Sequence, residues 1–351
     1  MNKMILKRLD KNIKNNRIAT ADLVEATLAT TIGLVRKDNE DRAIAARLYS
    51  KKIKQYIFCY ILCDGMGGMQ DGGLAASMTI CEFLCSFNRL VDEIDIYDAI
   101  SESILIANKK VFEKLKGNGG STLSIVISKK KNEYYLSNIG DSRIYTCVDG
   151  NLIQLTKDDD VKNFLNSTPG ININDELKLR NGLTKYIGME EDFNIDIAKI
   201  ITGDDLFITS DGLSNIGNDN LEKIYNNSPG VSDFIQRSIH VTNWLGGKDN
   251  ATLIYIENSK IIDGLFLLDG DEDEYKTVID IYDFIGFYSF REECLSHDNV
   301  VPEVTLNKNK CKKNKIKIDD DKDKELGSNL SFEYEEKSTV KKSLNLGDDN
   351  E

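Results

Sequence analysis

Acidic residues stand at the ends of several apolar runs in this sequence, and three of them are next to glycine. They are Glu40, Asp41, Asp64, Asp141, Asp211 and Asp249. A carboxylate at the end of a buried strand is unfavourable unless it is paired or binds a cation. Glycine beside it lets the backbone approach closely, so carbonyl oxygens can also coordinate. Because Mg²⁺ and Mn²⁺ prefer carboxylate and carbonyl oxygens, the pattern favours a hard-cation site.

Each of these acidic positions also has a simpler explanation. A single Asp-Gly pair is most often a turn, and a lone arginine such as Arg36 is most often a surface ion-pair partner. When several acidic residues all stand at strand ends, simple turns become a poorer explanation for the whole set. If they converge, two ions about 3.5–4 Å apart can share one carboxylate and activate a water molecule. Sequence spacing alone does not determine whether these side chains come together in the fold.

The elements that must position these residues follow from apolar periodicity. Runs rich in Val, Ile, Tyr and Phe predict strands over 56–63, 123–128, 134–138, 143–147, 205–210 and 252–256, with a strand-like stretch at 30–35. Helical spacing predicts helices over 73–87, 94–115 and 231–245. Strands in runs and helices in pairs favour antiparallel sheets with covering helices, a layered α/β arrangement rather than alternating βαβ units.

Composition restricts the class of protein. The chain has 351 residues and a net charge of −13, which disfavours nucleic acid as a partner because phosphate binding needs a surplus of Lys and Arg. No apolar run approaches the ~18 residues of a membrane helix, and no signal peptide is expected. Seven cysteines without framework spacing favour reduced thiols and a cytoplasmic location.

The charge is unevenly distributed along the chain. Residues 257–351 hold 14 Lys and Arg against 24 Asp and Glu, which leaves only −3 of the net charge for residues 1–256. We predict an N-terminal extension over 1–27, one domain over 28–258, a partly ordered extension over 259–305 and a disordered charged tail over 306–351. Residues 158–182 have weak patterning and predict a long excursion over the surface.

The candidate residues fall into motifs that resemble, in order, those of the metal-dependent serine/threonine protein phosphatases of the PP2C type. The blocks are Arg36-Lys37-Asp38-Asn39-Glu40-Asp41, Asp64-Gly65-Met66-Gly67-Gly68, Gly120-Ser121-Thr122, Gly140-Asp141-Ser142-Arg143, Leu183-Thr184-Lys185-Tyr186-Ile187-Gly188, Ser210-Asp211-Gly212 and Asp249-Asn250-Ala251-Thr252. Met66 within the second block and the compact length resemble the bacterial branch. The resemblance implies an α+β fold, a two-sheet antiparallel β-sandwich flanked by α-helices in α-β-β-α layers. It also implies hydrolysis of phosphoserine and phosphothreonine on proteins.

The same resemblance implies a ligand set for two Mn²⁺ or Mg²⁺ ions. Asp64 would bridge both ions, and Asp211 and Asp249 would complete the protein ligands of the first. The Gly65 carbonyl would bind the second ion. A water held between the ions would then attack phosphorus in line, without a phosphoenzyme.

Further roles follow from the resemblance. Glu40 would hold a water on the second ion with Asp41 in support, and Asp141 would bind a third, weaker ion together with Asp211. Arg36 would grip the substrate phosphate with its planar fork of donors. Residues 158–182 would be the flap beside the site. The expected partners are phosphoproteins and an opposing serine/threonine kinase, and the expected state is a monomer.

The sequence lacks the histidine that serves as the proposed general acid in many members of the family that it resembles. Many PP2C-type phosphatases place a histidine in or just after the second block, where this chain has Met66 and Met69. Its two histidines, His240 and His297, match no motif, so water on a metal is the preferred acid. The missing histidines and the tail leave an alternative, a catalytically silent phosphoprotein-binding module. Such a module would bind a phosphopeptide without releasing phosphate.

Overall fold

Two antiparallel sheets face each other in the computed structural model, which describes residues 3–9, 17–21, 25–66, 71–161, 163, 182–191, 193–261, 276–280, 284–288 and 331–337. The strands are β1 Arg17–Ala21, β2 Ala26–Thr31, β3 Arg42–Ser50, β4 Gln55–Cys63, β5 Leu123–Lys130, β6 Glu133–Ile139, β7 Arg143–Val148, β8 Asn151–Gln154, β9 Ile195–Ile201, β10 Leu206–Thr209, β11 Ala251–Ile256, β12 Lys276–Asp280, β13 Phe284–Tyr288 and β14 Ser331–Lys337. The helices are α1 Lys3–Leu9, α2 Gly72–Leu90, α3 Ile96–Leu115, α4 Asp211–Ser214, α5 Asn218–Asn226 and α6 Val231–Trp244.

The strands form two sheets of different size. One sheet has the order β1-β2-β11-β10-β7-β8, and the other has the order β13-β12-β3-β4-β5-β6-β9-β14. Helices α2 and α3 cover the larger sheet, and α4 to α6 cover the smaller one. The predicted α+β sandwich in α-β-β-α layers is therefore confirmed.

Strand β4 shows why the layers form. Alternate residues point to opposite faces of a strand. Ile57, Cys59 and Ile61 pack under the helices, whereas Phe58 and Tyr60 pack between the two sheets. Because both faces are buried, the strand is apolar throughout rather than alternating with polar residues.

Most of the predicted elements lie where periodicity placed them, with ends that differ by a few residues. The predicted helix over 94–115 begins at Ile96, because the Asp95 side chain accepts a hydrogen bond from Tyr97 N at 2.9 Å and caps the helix. The strand-like stretch at 30–35 was wrong beyond Thr31. Gly33 has φ +78° and turns the chain, so that the next residues lie on the surface.

Strands β3 and β9 were not predicted from the sequence. Strand β3 contains three alanines and two arginines, and nearly every position is buried. It therefore shows neither the two-residue alternation of a half-exposed strand nor the continuous run of bulky apolar residues seen in β4. Alanine at Ala43 and Ala45 also lets the facing sheet approach closely.

The C-terminal segments add strands to both edges of the larger sheet. Strand β12 pairs with β3, and β14 pairs with β9. Strand β14 lies in the segment 306–351, for which the sequence predicts disorder; pairing of its backbone with the β9 edge orders these residues instead. The rest of that segment lies outside the described residues, and the domain boundaries stay a prediction.

Two further expectations concern the surface. Most of the predicted excursion over 158–182 lies outside the described residues, but its ends meet where Val161 N donates to Gly182 O at 3.0 Å. Among the described helices, none combines the length and the apolar character needed to cross a bilayer.

Candidate active site

The acidic residues identified in the sequence come together at one end of the sandwich. Asp64 follows β4 and Asp41 precedes β3, which pairs with β4 in an antiparallel register. Asp211 follows β10 and Asp249 lies just before β11, which pairs with β10 in the same way. In an antiparallel pair the end of one strand lies beside the start of the next. The topology thus gathers four acidic residues from separate parts of the chain.

Asp64 is held in place through its backbone. Its N–H donates to Thr122 Oγ1 at 2.9 Å, and its carbonyl accepts from Thr122 N at 2.8 Å. Thr122 Oγ1 lies 2.9 Å from Ser142 Oγ, which links this loop to the turn that carries Asp141. Loss of hydration and the nearby charges of Asp41 and Asp211 raise the pKa of the Asp64 carboxyl well above its usual range.

Asp41 is a buried carboxylate behind the cluster, with 2% of its surface exposed. Its Oδ2 accepts from Ser210 Oγ at 2.8 Å and from Thr252 Oγ1 at 2.6 Å. Burial raises its pKa to about 7, although both hydroxyl hydrogen bonds oppose that rise. Asp41 therefore joins the β10 and β11 ends of the site to the start of β3.

Two more acidic residues have raised pKa values. Burial and the charge of Asp211 raise the pKa of Asp141 to about 7. Burial and the charge of Asp249 raise the pKa of Asp211, whose carboxyl also lies within hydrogen-bonding reach of Asp64. Neighbouring carboxylates that leave water together disfavour each other's ionised form, and a divalent cation among them would relieve that repulsion.

Arg36 and Asp249 form an ion pair at the rim of the cluster. Arg36 Nη2 lies 2.6 Å from Asp249 Oδ2, and the two side chains are 36% and 31% exposed. The hydrogen bond to Asp249 raises the pKa of the guanidinium. The arginine expected to bind phosphate thus contacts a carboxylate expected to bind a metal, and both explanations of Arg36 from the sequence describe part of its environment.

Close backbone packing surrounds the predicted carbonyl ligand at Gly65. A Cβ atom there would lie 2.5 Å from the Gly72 carbonyl and 2.9 Å from Glu40 Cβ. Only glycine fits in this space, so the loop after Asp64 can lie against the start of α2. Burial raises the pKa of Glu40, which stands at this junction.

Asn250 is a structural residue of the site to which sequence reasoning assigned no role. Its side chain is buried: Oδ1 accepts from Glu40 N at 2.8 Å, and Nδ2 donates to Ile32 O at 3.0 Å and Asp38 O at 3.1 Å. These bonds clamp the loop that carries Arg36 and Glu40 to the start of β11. The only feature of the sequence that could have indicated this role is the position of the amide side chain, between the candidate ligand Asp249 and the apolar strand that follows.

The clamp predicts a clear effect of Asn250→Ala. The substitution removes the side-chain partner of three backbone groups, two of them part-buried, so we expect a loss of about 1–3 kcal/mol in the free energy of unfolding. Displacement of the loop should also lower Mn²⁺ affinity by about 10–100-fold. Urea unfolding and a Mn²⁺ titration measure these effects. Asn227→Ala, which removes one bond within an exposed helix end, is the control; equal effects of the two substitutions would contradict the clamp.

The cluster fits divalent cations chemically, although it is not a finished coordination shell. Within the part of the chain that the structure describes, no three side chains of His, Cys, Asp or Glu already form a metal-binding group. Arg36 holds Asp249 in an ion pair instead. Oδ1 of Asp211 and Oδ1 of Asp41 are nevertheless buried without a hydrogen-bond partner. Unpartnered carboxylate oxygens with raised pKa values are what a hard cation would satisfy.

The histidines take no part in this arrangement. His240 lies on α6, as the sequence predicted, and its side chain is exposed. His297 lies outside the described residues. The chemistry at the cluster therefore depends on carboxylates, hydroxyls and Arg36, as far as the described residues show.

Comparisons with known proteins agree with this arrangement. The Protein phosphatase 2C family model matches residues 39–253. A putative protein phosphatase 2C-type from Streptococcus pyogenes is 29% identical over 249 residues, 67% of this chain and 98% of that protein. The S. agalactiae serine/threonine phosphatase structure has a TM-score of 0.57 and 27% identity, over 66% of this chain and 98% of that one. A further match is the structure of the catalytic domain of the serine/threonine protein phosphatase PstP in complex with two manganese ions. It has a TM-score of 0.52 and 26% identity, and the match covers 66% of this chain and 96% of that one.

The layered sandwich is the fold that this chain shares with bacterial serine/threonine phosphatase structures. Since the matched residues are more than half of its length, the chain belongs to the protein phosphatase 2C family. It is a protein phosphatase whose catalysis depends on metal ions. The resemblance identified from the motifs is confirmed, and the comparisons give no support to a catalytically silent module.

Proposed function

We propose that this chain hydrolyses phosphoserine and phosphothreonine on proteins with two Mn²⁺ or Mg²⁺ ions held by its acidic cluster. The observation that carries the proposal is the buried, unpartnered Oδ1 of Asp211 beside Asp64, with Arg36 at the rim of the same cluster. The named activity of the S. agalactiae neighbour and the manganese ions of the PstP neighbour support it.

We assign the metal ligands as the motifs suggest. Asp64 would serve both ions, Asp211 and Asp249 would serve the first, and the Gly65 carbonyl would serve the second. Glu40 would hold a water on the second ion. When bound, the ions supply a nucleophilic water of lowered pKa and neutralise charge on the phosphoryl group.

Two acidic residues support this set. Asp41 accepts hydrogen bonds from Ser210 and Thr252 and so fixes the strand ends that carry the ligands. Asp141, whose charge interacts with that of Asp211, is assigned to a third, weaker ion together with Asp211.

Arg36 has to change partner during the reaction. A phosphate dianion competes with Asp249 for the guanidinium, because a phosphate can accept two parallel hydrogen bonds from it, whereas Asp249 accepts one from Nη2. Transfer of Arg36 to the phosphate leaves Asp249 Oδ2 free to serve as a ligand. The attacking water oxygen then forms its bond to phosphorus as the ester P–O bond breaks in line, and the leaving serine or threonine oxygen takes a proton from water.

Hydrolysis of a phosphothreonine peptide tests the proposed function directly. We expect release of inorganic phosphate in Mn²⁺, its loss in EDTA and its return when Mn²⁺ is added back. A colorimetric assay measures the phosphate that is released. A phosphotyrosine peptide, assayed in the same way, serves as the comparison substrate. Absence of turnover with Mn²⁺ or Mg²⁺ would contradict the proposal.

Metal binding has a second readout that does not depend on turnover. Mn²⁺ at about 100 times its Kd should stabilise the folded chain by ~3 kcal/mol, which thermal unfolding measures. Asp41 and Asp141 have folded pKa values of about 7, so protons compete with the cation below that pH. The stabilisation by Mn²⁺ should therefore be larger at pH 8 than at pH 6. A stabilisation that is equal at both pH values, or absent, would contradict the assigned ligand set.

The remaining expectations about the cell are part of the same proposal. The partners are phosphoproteins and an opposing serine/threonine kinase, and the chain acts as a cytoplasmic monomer. Free thiols at Cys59, Cys63, Cys81, Cys85 and Cys147 support a reducing compartment. A kinase gene beside the gene for this chain would support the kinase partner.

A further inference from the structure

An exposed apolar surface adjoins Arg36. It consists of Leu34, Val35, Trp244 and Leu245, whose exposed fractions are 69%, 65%, 83% and 51%. We call this surface the apolar rim. Side chains of this size leave several hundred Å² of apolar area in contact with water, and patches in that range on a single protein mark interaction sites.

The two halves of the apolar rim are joined by backbone contacts. Leu34 N donates to Gly247 O at 2.7 Å, and Gly33 packs so closely on this loop that a Cβ there would lie 2.4 Å from Asp249 O. Trp244 and Leu245 end helix α6 directly before the same loop. The turn after β2 and the end of α6 therefore form one surface, although they are far apart in the sequence.

The apolar rim leads directly into the proposed phosphate-binding position. Leu34 and Val35 precede Arg36, which contacts Asp249. Lys37 and Lys248 are exposed on the same two loops and add positive charge beside Arg36. A ligand that fits this arrangement carries a doubly negative phosphate next to an apolar side chain. An extended peptide spans about 3.3 Å per residue. A side chain two or three residues from a phosphoresidue is therefore separated from it by a span like that between Leu34 and Arg36, which are two residues apart in the chain.

We propose that the apolar rim binds an aliphatic or aromatic side chain of the substrate, two or three residues from its phosphorylated serine or threonine. This inference rests on the proposed function and specifies its substrate class. A second copy of the chain is a poorer occupant, because a stable dimer needs about 800 Å² from each partner. The net charge of −13 also opposes self-association.

Two phosphothreonine peptides test the proposal: they are identical except that one has phenylalanine and the other serine two residues on either side of the phosphothreonine. In Mn²⁺ we expect kcat/KM to be about tenfold higher for the phenylalanine peptide, as burial of one large apolar side chain allows. Leu34→Ser and Trp244→Ser should each remove most of that preference. Hydrolysis of p-nitrophenyl phosphate, which is too small to reach the apolar rim, should be unchanged.

Ile53→Ser is the matched control. Ile53 is 40% exposed and lies in the turn between β3 and β4, at the opposite end of these strands from Asp64, so its substitution should leave the preference intact. Equal hydrolysis of both peptides by the unaltered chain, or a preference that survives in Leu34→Ser combined with Trp244→Ser, would overturn the inference and leave the proposed function standing.

Two other outcomes separate the remaining explanations. Sedimentation that shows a dimer, converted to a monomer by Trp244→Ser, would assign the apolar rim to a second copy and overturn the inference. Absence of any phosphate release from either peptide and from p-nitrophenyl phosphate would overturn the proposed function itself, and the inference with it.

Discussion

Asp211→Asn is expected to lower kcat/KM for a phosphothreonine peptide by at least about a thousandfold, which corresponds to ~4 kcal/mol of transition-state stabilisation. Asp211 lies at the centre of the cluster, because its carboxyl lies within reach of Asp64 and its charge interacts with that of Asp249. Asparagine keeps the size of the side chain but removes the negative charge that a divalent cation requires. Steady-state kinetics in saturating Mn²⁺ measure the effect.

Asp205→Asn provides the matched control for that experiment. Asp205 lies directly before strand β10, whereas Asp211 follows the opposite end of that strand. The Asp205 carboxylate accepts a hydrogen bond from Tyr255 Oη at 2.9 Å. Its substitution should change the free energy of unfolding slightly and leave kcat/KM near the unaltered value. Turnover in Asp211→Asn that matches the control would show that the reaction does not pass through this cluster.

Gly212→Ala is expected to destabilise the fold by about 3 kcal/mol or more, because overpacking against a rigid backbone cannot be relieved by side-chain motion. A Cβ atom at this position would lie 1.9 Å from Asn250 O and 3.3 Å from Asp249 Cβ. Relief of the clash must separate the α4 turn from the start of β11, and that movement also separates Asp211 from Asp249. Activity should therefore fall together with stability, as measured by urea unfolding and peptide hydrolysis.

The control for Gly212→Ala is Gly203→Ala. Gly203 has open space around the position that a Cβ would take, and it lies in the loop before β10. The added methyl group should change the free energy of unfolding by no more than about 1 kcal/mol, with full activity. Normal stability and activity in Gly212→Ala would mean that the α4 turn and the β11 start do not need this close contact.

The predicted effects share a physical origin in how the site is assembled. The acidic side chains stand on five different loops, and hydrogen bonds between loops, such as those of Asn250 and Asp41, hold these loops together. Substitution of a residue that only connects loops is therefore expected to reduce stability and metal affinity at once. Substitution of a ligand such as Asp211 should affect chemistry far more than folding.

Much of the fold and the choice of candidate residues could be read from local pattern. The strand over β4 and the helix over α3 have periodicity that depends only on neighbouring residues, and the acidic residues beside glycine mark the ends of such elements. The order of the motifs was enough to indicate the protein phosphatase 2C family. Strand β3 could not be found in this way, because its alanines and arginines interrupt the run of bulky apolar residues that marks β4.

The sequence by itself determined which residues carry charge, which segments favour strand or helix, and the family to which the chain belongs. Only the tertiary structure decided that Arg36 contacts Asp249, that Asn250 clamps the loop before β3, and that Leu34 lies exposed beside Gly247. The reason is that local preference acts between neighbours along the chain. Contacts between loops depend on the register of distant strands and on which faces are buried.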